Sequence, residues 1–157
     1  MKLTFWIDKH HRNASIDRII CSMNMTNLVN KDLYYTKDHE WIDFQDPFAY
    51  VGVSSFKLIG FKEIEHIIIH KISGFMKQGE IIATIKYNDY QIVAHMPVDG
   101  IILQINYILR LGNKNILKKY AETSGWIALI EPLRPEERNN LAKIKKYQIN
   151  GDNKSKK

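Results

Sequence analysis

Residues 79–100 carry the most restrictive pattern in the sequence, because nearly every position is assigned to one face of a β-hairpin. Two β-branched and apolar-rich runs, 80–87 and 90–96, flank the dipeptide Asn88-Asp89, which suits a two-residue turn. The predicted pairs are Tyr87/Tyr90, Ile85/Ile92, Ala83/Ala94 and Ile81/Met96 on an apolar face, and Lys86/Gln91, Thr84/Val93 and Ile82/His95 on the other. A slip of one residue would turn Lys86, Gln91 and His95 toward the core, so the pattern specifies one register.

Similar short runs recur along the chain, separated by glycine-bearing turns. They predict about seven strands with one or two helices, which is typical of a compact β-rich sandwich or barrel. A length of 157 residues with 45% hydrophobic content fits one domain. No window approaches the roughly 18 to 20 apolar residues of a membrane span, so no membrane association is expected. The single cysteine, Cys21, excludes an intrachain disulfide and favours a reducing compartment.

The two ends of the sequence are patterned differently from its middle. Residues 1–31 show no sustained period of 2 or 3.6 and are predicted to be an N-terminal extension. A C-terminal helix is predicted over 133–148, because Pro135 suits its first turn and the acids Glu136 and Glu137 suit the positive end of its dipole. The remaining residues, 149–157, are predicted to be a disordered basic tail.

The net charge of +6 and pI near 9.3 raise nucleic acid as a partner. Residues 131–157 hold eight Lys or Arg against four Asp or Glu, so +4 of this charge lies in the C-terminal segment. Basic charge at a chain terminus more often belongs to a solvated face or tail than to a segment that binds nucleic-acid phosphates. Nucleic-acid binding through this segment is therefore the second of two alternative functions.

Neither a metal site nor a catalytic site is predicted. The pair His10-His11 with Cys21 lacks a second ligand pair, and His66 and His70, on one face of a predicted strand, lack a third ligand. No nucleophile elbow or phosphate-binding glycine loop occurs, so the chain is not expected to be an enzyme. His39 and His95 are interpreted as a framework and a strand-surface position.

Five segments occur in order along the chain: YTKDHEW (35–41), VGVSSF (51–56), QGEIIATI (78–85), PVDG (97–100) with Asn106, and GWIALI (125–130). In that order and at similar spacing, they resemble the glycine cleavage system H protein family. HEW within the first is the most specific, and the similarity extends from about residue 33 to 147, including the PEE…L…Y pattern of the C-terminal helix.

The resemblance implies a mainly β (α+β) fold, the barrel-sandwich hybrid of lipoyl and biotinyl carrier domains, over residues 32–132. In the family, a lysine at the tip of the central hairpin carries lipoate and shuttles an aminomethyl group. The implied partners are glycine decarboxylase, aminomethyltransferase, dihydrolipoamide dehydrogenase or a lipoate-handling enzyme. The implied location is the cytoplasm, or the mitochondrion in a eukaryote.

The family's lysine lies eight residues before the proline of P-x-x-G, and counting back from Pro97 reaches Asp89. The tip then reads Tyr87-Asn88-Asp89-Tyr90, and Lys86 replaces the acidic residue three before the lysine. A carboxylate cannot form the amide that an ε-amine forms with lipoate, so no cofactor is expected. The predicted function is a non-catalytic accessory or partner-binding module of glycine and lipoate metabolism. The first alternative is an aminomethyl carrier with lipoate on Lys86.

Overall fold

The computed structural model describes residues 32–143, which form ten β-strands joined by short helices and turns. The strands are β1 (Leu33–Tyr35), β2 (Glu40–Gln45), β3 (Phe48–Val53), β4 (His66–Ile69), β5 (Gly74–Met76), β6 (Ile81–Tyr87), β7 (Tyr90–His95), β8 (Gly100–Ile105), β9 (Ala128–Pro132) and β10 (Ala142–Lys143). The helices are two 3-10 helices, Ser55–Leu58 and Pro135–Asn140, and two short α-helices, Tyr107–Arg110 and Ile116–Lys119. The residues of the predicted N-terminal extension lie outside this range.

All strand pairs are antiparallel and fall into two sheets. The larger sheet has the order β10-β1-β2-β3-β9-β8-β5, and the smaller has the order β4-β6-β7. Both sheets contribute fully buried apolar side chains, as expected of two sheets that share a core. Examples are Trp41, Ile42, Val51, Ile102 and Ile130 from the larger sheet, and Ile82, Ala83, Ile85 and Ala94 from the smaller. In this part of the chain no helix is long or apolar enough to cross a membrane.

The tryptophan of the HEW motif fixes β2 within the core. Trp41 is fully buried, and its indole Nε1 donates to the carbonyl oxygens of Val53 at 3.0 Å and Ala121 at 2.8 Å. Its cross-strand partner is Gly52, where an added Cβ would lie 2.7 Å from ring atoms of Trp41. The aromatic ring therefore fills the space that a side chain at residue 52 would need.

A Gly52→Ala variant is expected to be destabilised by about 1–3 kcal/mol, because the new methyl group overpacks against a ring held by two hydrogen bonds. Urea denaturation measures the change. The double variant Trp41→Phe/Gly52→Ala is the control, since phenylalanine lacks the ring atoms in conflict. It should be more stable than the sum of the two single changes predicts, and strict additivity would contradict the steric explanation.

The central hairpin has the predicted turn and most of the predicted register. The pairs Tyr87/Tyr90, Lys86/Gln91, Ile85/Ile92, Thr84/Val93 and Ala83/Ala94 are confirmed. The two pairs beyond them are wrong: Ile81 pairs with His95, and Met96 exchanges backbone hydrogen bonds with Gly79 and Glu80. The register shifts at Ile82, where a bulge leaves Ile82 and Ala83 both buried and Ile81 exposed.

The chain after residue 132 differs from the predicted helix over 133–148. Pro135–Asn140 form a single 3-10 helix, and Leu141 is already extended, with φ −100° and ψ 149°. β10 then pairs with the edge of β1. The backbone hydrogen bonds that this edge offers favour an extended chain over a longer helix. Residues 144–157, with the remainder of that helix and the predicted basic tail, lie outside the described range.

Candidate functional site

The tip of the β6–β7 hairpin is an exposed two-residue turn. Tyr87 pairs with Tyr90, which leaves Asn88 and Asp89 as the connection, and both are exposed. Asn88 has a positive φ of 50°, a conformation that asparagine tolerates better than most residues. Tyr90 is also 67% exposed. Residues 88–90 are thus open to solvent at the end of the hairpin.

Residues 61–65, the segment before β4, hold this tip from one side. The Glu65 backbone N–H donates to the Lys86 carbonyl oxygen at 2.9 Å, and Glu65 Oε2 accepts the Asn88 N–H at 3.1 Å. The rings of Phe61 and Tyr87 lie 6.1 Å apart in a tilted arrangement. A carboxylate that accepts from a turn N–H satisfies a backbone donor that a two-residue loop leaves free. The tip is therefore positioned by long-range contacts as well as by its own turn.

Asp89 and Lys86 occupy different environments in this hairpin. Asp89 lies in the turn and is exposed, whereas Lys86 lies within β6, the middle strand of its sheet. Lys86 is half-buried and has His66 of β4 on one side and Gln91 of β7 on the other. Its side chain therefore leaves the face of a three-stranded sheet and not the end of a loop.

A second cluster, which the sequence analysis did not identify, surrounds the buried carboxylate of Glu40. Glu40 is 2% exposed, and Lys57 Nζ forms an ion pair with its Oε1. The Thr36 hydroxyl donates to Oε2 at 2.5 Å. The His95 backbone N–H donates to Oε1 at 3.1 Å, and His95 Nδ1 lies 2.9 Å from the same oxygen. His95 is thus half-buried and bonded across to β2, so its interpretation as a strand-surface position was wrong.

These contacts determine the charge state of Glu40. Burial by itself raises the pKa of the carboxyl. Lys57 lowers the pKa through its hydrogen bond and its charge, and Thr36 and His95 lower it through their hydrogen bonds. Together these contacts outweigh burial, so the pKa lies below its ordinary value of 4.5. Glu40 is therefore ionised at neutral pH. The sequence signal for this cluster is a charged residue between Trp41 and His39 at the start of a buried strand, where an unpaired carboxylate would be costly.

Asp38, Glu40 and His95 place one potential metal-ligand atom each within 4.8 Å of one another. The Lys57 ammonium group, however, lies against the same Glu40 oxygen that faces His95. A cation already occupies the electrostatic position that a metal would take, so the contacts describe an ion-pair network.

Of the two histidines predicted to share a strand face, His70 directs Nε2 to Thr84 Oγ1 at 2.7 Å.

Comparison with known proteins places these features in a family. Residues 33–153 match the family model described as glycine cleavage H-protein. The glycine cleavage system H protein of Clostridium botulinum is 32% identical over 120 residues, which cover 76% of this chain and 91% of that protein. Glycine cleavage system H protein 4 of Aquifex aeolicus is 28% identical over 120 residues, which cover 76% of this chain and 70% of that protein.

The fold agrees with a solved structure. A glycine cleavage system H protein from Mycobacterium marinum has a TM-score of 0.66 at 21% sequence identity, over 78% of this chain and 99% of that chain. The predicted mainly β barrel-sandwich fold of lipoyl carriers is thereby confirmed. From the family model and the relative from Clostridium botulinum together, this chain belongs to the glycine cleavage H-protein family.

Proposed function

We propose that this chain is a non-catalytic H-protein-like module of glycine and lipoate metabolism that carries no lipoate at its hairpin tip and acts by binding a partner protein. The observation that carries the proposal is the hairpin register. Because Tyr87 pairs with Tyr90, the exposed tip consists of Asn88 and Asp89, and neither has an amine that lipoate can acylate.

The tip has the geometry that a carrier arm needs but lacks the required functional group. A swinging arm must start from an exposed point that is itself held still, and the exposed turn anchored by Glu65 meets both conditions. Lipoate is attached through an amide, which needs a nucleophilic amine. The carboxylate of Asp89 cannot act as that nucleophile toward another carboxyl group. An exposed, anchored tip without an amine fits a binding role.

The alternative with lipoate on Lys86 has less support from the geometry. Lys86 lies one pair below the tip, about 3.3 Å along the strand. It is flanked by neighbours on both adjacent strands and is half-buried, whereas an acyl-transfer enzyme needs access to the whole amine. Bringing Lys86 to the tip would require a changed register, which would break the matched apolar pairs Ile85/Ile92 and Ala83/Ala94.

Partners follow from the family relationship. H proteins are carriers without an active site of their own, so the enzymes of the glycine cleavage system, or a lipoate-handling enzyme, are the proposed partners. The proposed location is the cytoplasm, or the mitochondrion in a eukaryote. The nucleic-acid alternative gains nothing from the described part of the C-terminal segment, where Glu137 accepts the Asp99 N–H and Arg138 packs over Phe44.

Intact-mass measurement tests the proposal directly. The full chain is co-expressed with a lipoate-protein ligase, beside an H protein that has a tip lysine as the positive control. We expect the mass of the unmodified polypeptide for this chain and a complete lipoyl adduct on the control. An adduct that is present on the chain and lost from a Lys86→Arg variant would overturn the proposal and establish the alternative.

A further inference from the structure

The outer face of the larger sheet is apolar where β5, β8 and β9 lie side by side. Met76 of β5 and Ile130 of β9 are buried in the core, so the residues that alternate with them point to the opposite face. On that face Phe75 is the cross-strand partner of Ile101, and Ile101 is the partner of Glu131. These three side chains therefore form one row across the outside of the sheet.

Apolar side chains along this row remain in contact with solvent. Phe75 is exposed, as is Leu103 at the bulge of β8, and Ile101 is half-buried. Phe48 is also exposed, and the register of β3 and β9 brings it beside Glu131. Single exposed apolar residues are ordinary on a protein surface, but adjoining ones on one face mark an interaction site. We call Phe48, Phe75, Ile101 and Leu103 the outer patch.

Two residues of opposite charge lie at separate points of this face. Within residues 32–143, the exposed Glu131 carboxylate takes part in no hydrogen bond and no ion pair. Lys71 lies at the free edge of β5, where its Nζ donates to the Phe75 carbonyl oxygen at 2.5 Å. That oxygen carries no net charge, so the Lys71 charge is also unbalanced. Across the sheet the order is therefore Lys71, Phe75, Ile101 and Glu131.

This order is self-complementary. A two-fold axis that runs parallel to the strands, between Phe75 and Ile101, reverses it. When two copies meet face to face about that axis, Lys71 of each copy lies opposite Glu131 of the other, and Phe75 lies opposite Ile101. Both charges then have a partner of opposite sign, and the apolar side chains between them are covered.

We infer that the outer patch is the interface of a homodimer, in which Lys71 of each copy pairs with Glu131 of the other. The position of Lys71 also favours contact between faces over contact between edges, because its ammonium group covers a backbone acceptor at the free edge of β5. The inference goes beyond the proposed function and does not depend on it, since the hairpin tip belongs to the smaller sheet.

Sedimentation velocity of the full chain over a range of concentrations measures the dissociation constant of the dimer. The patch variant is Phe75→Ser, and the matched control is Phe56→Ser, because Phe56 is 45% exposed against 44% for Phe75 but lies in the first 3-10 helix. We expect a concentration-dependent dimer whose Kd rises at least about tenfold in Phe75→Ser and less than about threefold in the control. Thermal denaturation establishes that both variants remain folded. A chain that stays monomeric up to about 1 mM, or equal effects of the two substitutions, would overturn the inference.

Reversal of single charges tests the two-fold arrangement. At low ionic strength Lys71→Glu and Glu131→Lys should each raise the Kd at least about fivefold, because like charges then face each other at both symmetric contacts. A mixture of these two variants should form a heterodimer about as strong as the unchanged homodimer, since every contact again joins opposite charges. Lys37→Glu, at an exposed position in the turn between β1 and β2, is the charge control and should change the Kd by less than about twofold. A mixture that associates no better than either variant alone would rule out this interface.

Discussion

An Asp89→Lys variant is expected to change from an unmodified protein to one that a lipoate-protein ligase modifies. The substitution supplies the missing amine at an exposed turn position that the surrounding contacts already hold in place. The ligase needs an accessible lysine presented at the end of the hairpin, and no other change in the fold is required for that. Intact mass after co-expression with the ligase measures the outcome, with an expected change from no adduct to a majority of modified chains.

Two further variants make the result at residue 89 specific. Asp89→Arg introduces the same charge without an amine that forms a stable amide, and it should remain unmodified. Asp89→Lys/Lys86→Glu also restores the acidic residue that the family has three positions before its lysine, and it should be modified at least as well. If both lysine-bearing variants remain folded and unmodified, the assignment of Asp89 to the attachment position is wrong.

Loss of the Glu40 carboxylate is expected to cause a large loss of stability. In Glu40→Gln the Lys57 ammonium group, whose side chain is 13% exposed, loses its ion-pair partner inside the protein. Removal of one member of a buried pair costs about 3–5 kcal/mol, because the remaining charge is neither solvated nor paired. Chemical denaturation with urea gives the change in the free energy of unfolding.

The double variant Glu40→Gln/Lys57→Met separates the pair from other effects of residue 40. It removes both charges and should recover a large part of the lost stability, since methionine fills a similar volume without a charge. A double variant that is no more stable than Glu40→Gln alone would show that the ion pair is not the source of the effect.

The same carboxylate predicts a pH dependence. Because the pKa of Glu40 is lowered on folding, its ionised form contributes stability above the unfolded value of 4.5, and this contribution is lost as the pH falls through the folded pKa. The stability difference between the unchanged chain and Glu40→Gln should therefore shrink below about pH 4.5. A difference that stays constant from pH 7 to pH 3 would contradict a lowered pKa.

The central hairpin shows how far local pattern determines structure. The turn at Asn88-Asp89 and five cross-strand pairs follow from alternation and a two-residue loop, because both act between residues close in sequence. The bulge at Ile82 does not follow from them. It depends on which residues the rest of the core buries, and both Ile82 and Ala83 face into it.

The C-terminal segment and the contacts of Glu40 are features that local sequence pattern does not predict. Pro135, Glu136 and Glu137 begin a helical turn as predicted, but β1 offers an open edge, and the chain joins it at Ala142. No period in the sequence indicates that competition. In the same way, the partners of Glu40 are 4, 17 and 55 residues away in sequence, so only folding brings Thr36, Lys57 and His95 to one carboxylate.

For this protein, the sequence alone determined the β-rich class, the family resemblance and the hairpin, and it predicted that Asp89 takes the position of the family's lysine. These depend on local periodicity, turn chemistry and residue identity, which are properties of residues close together in the sequence. Tertiary structure decided that Lys86 lies half-buried in a middle strand, that Glu40 is ionised in the interior, and that Lys114 and Lys118 bond to carbonyl oxygens of the segment before β4. Burial and electrostatic interaction depend on distance in space, so the assembled fold was needed to reveal them.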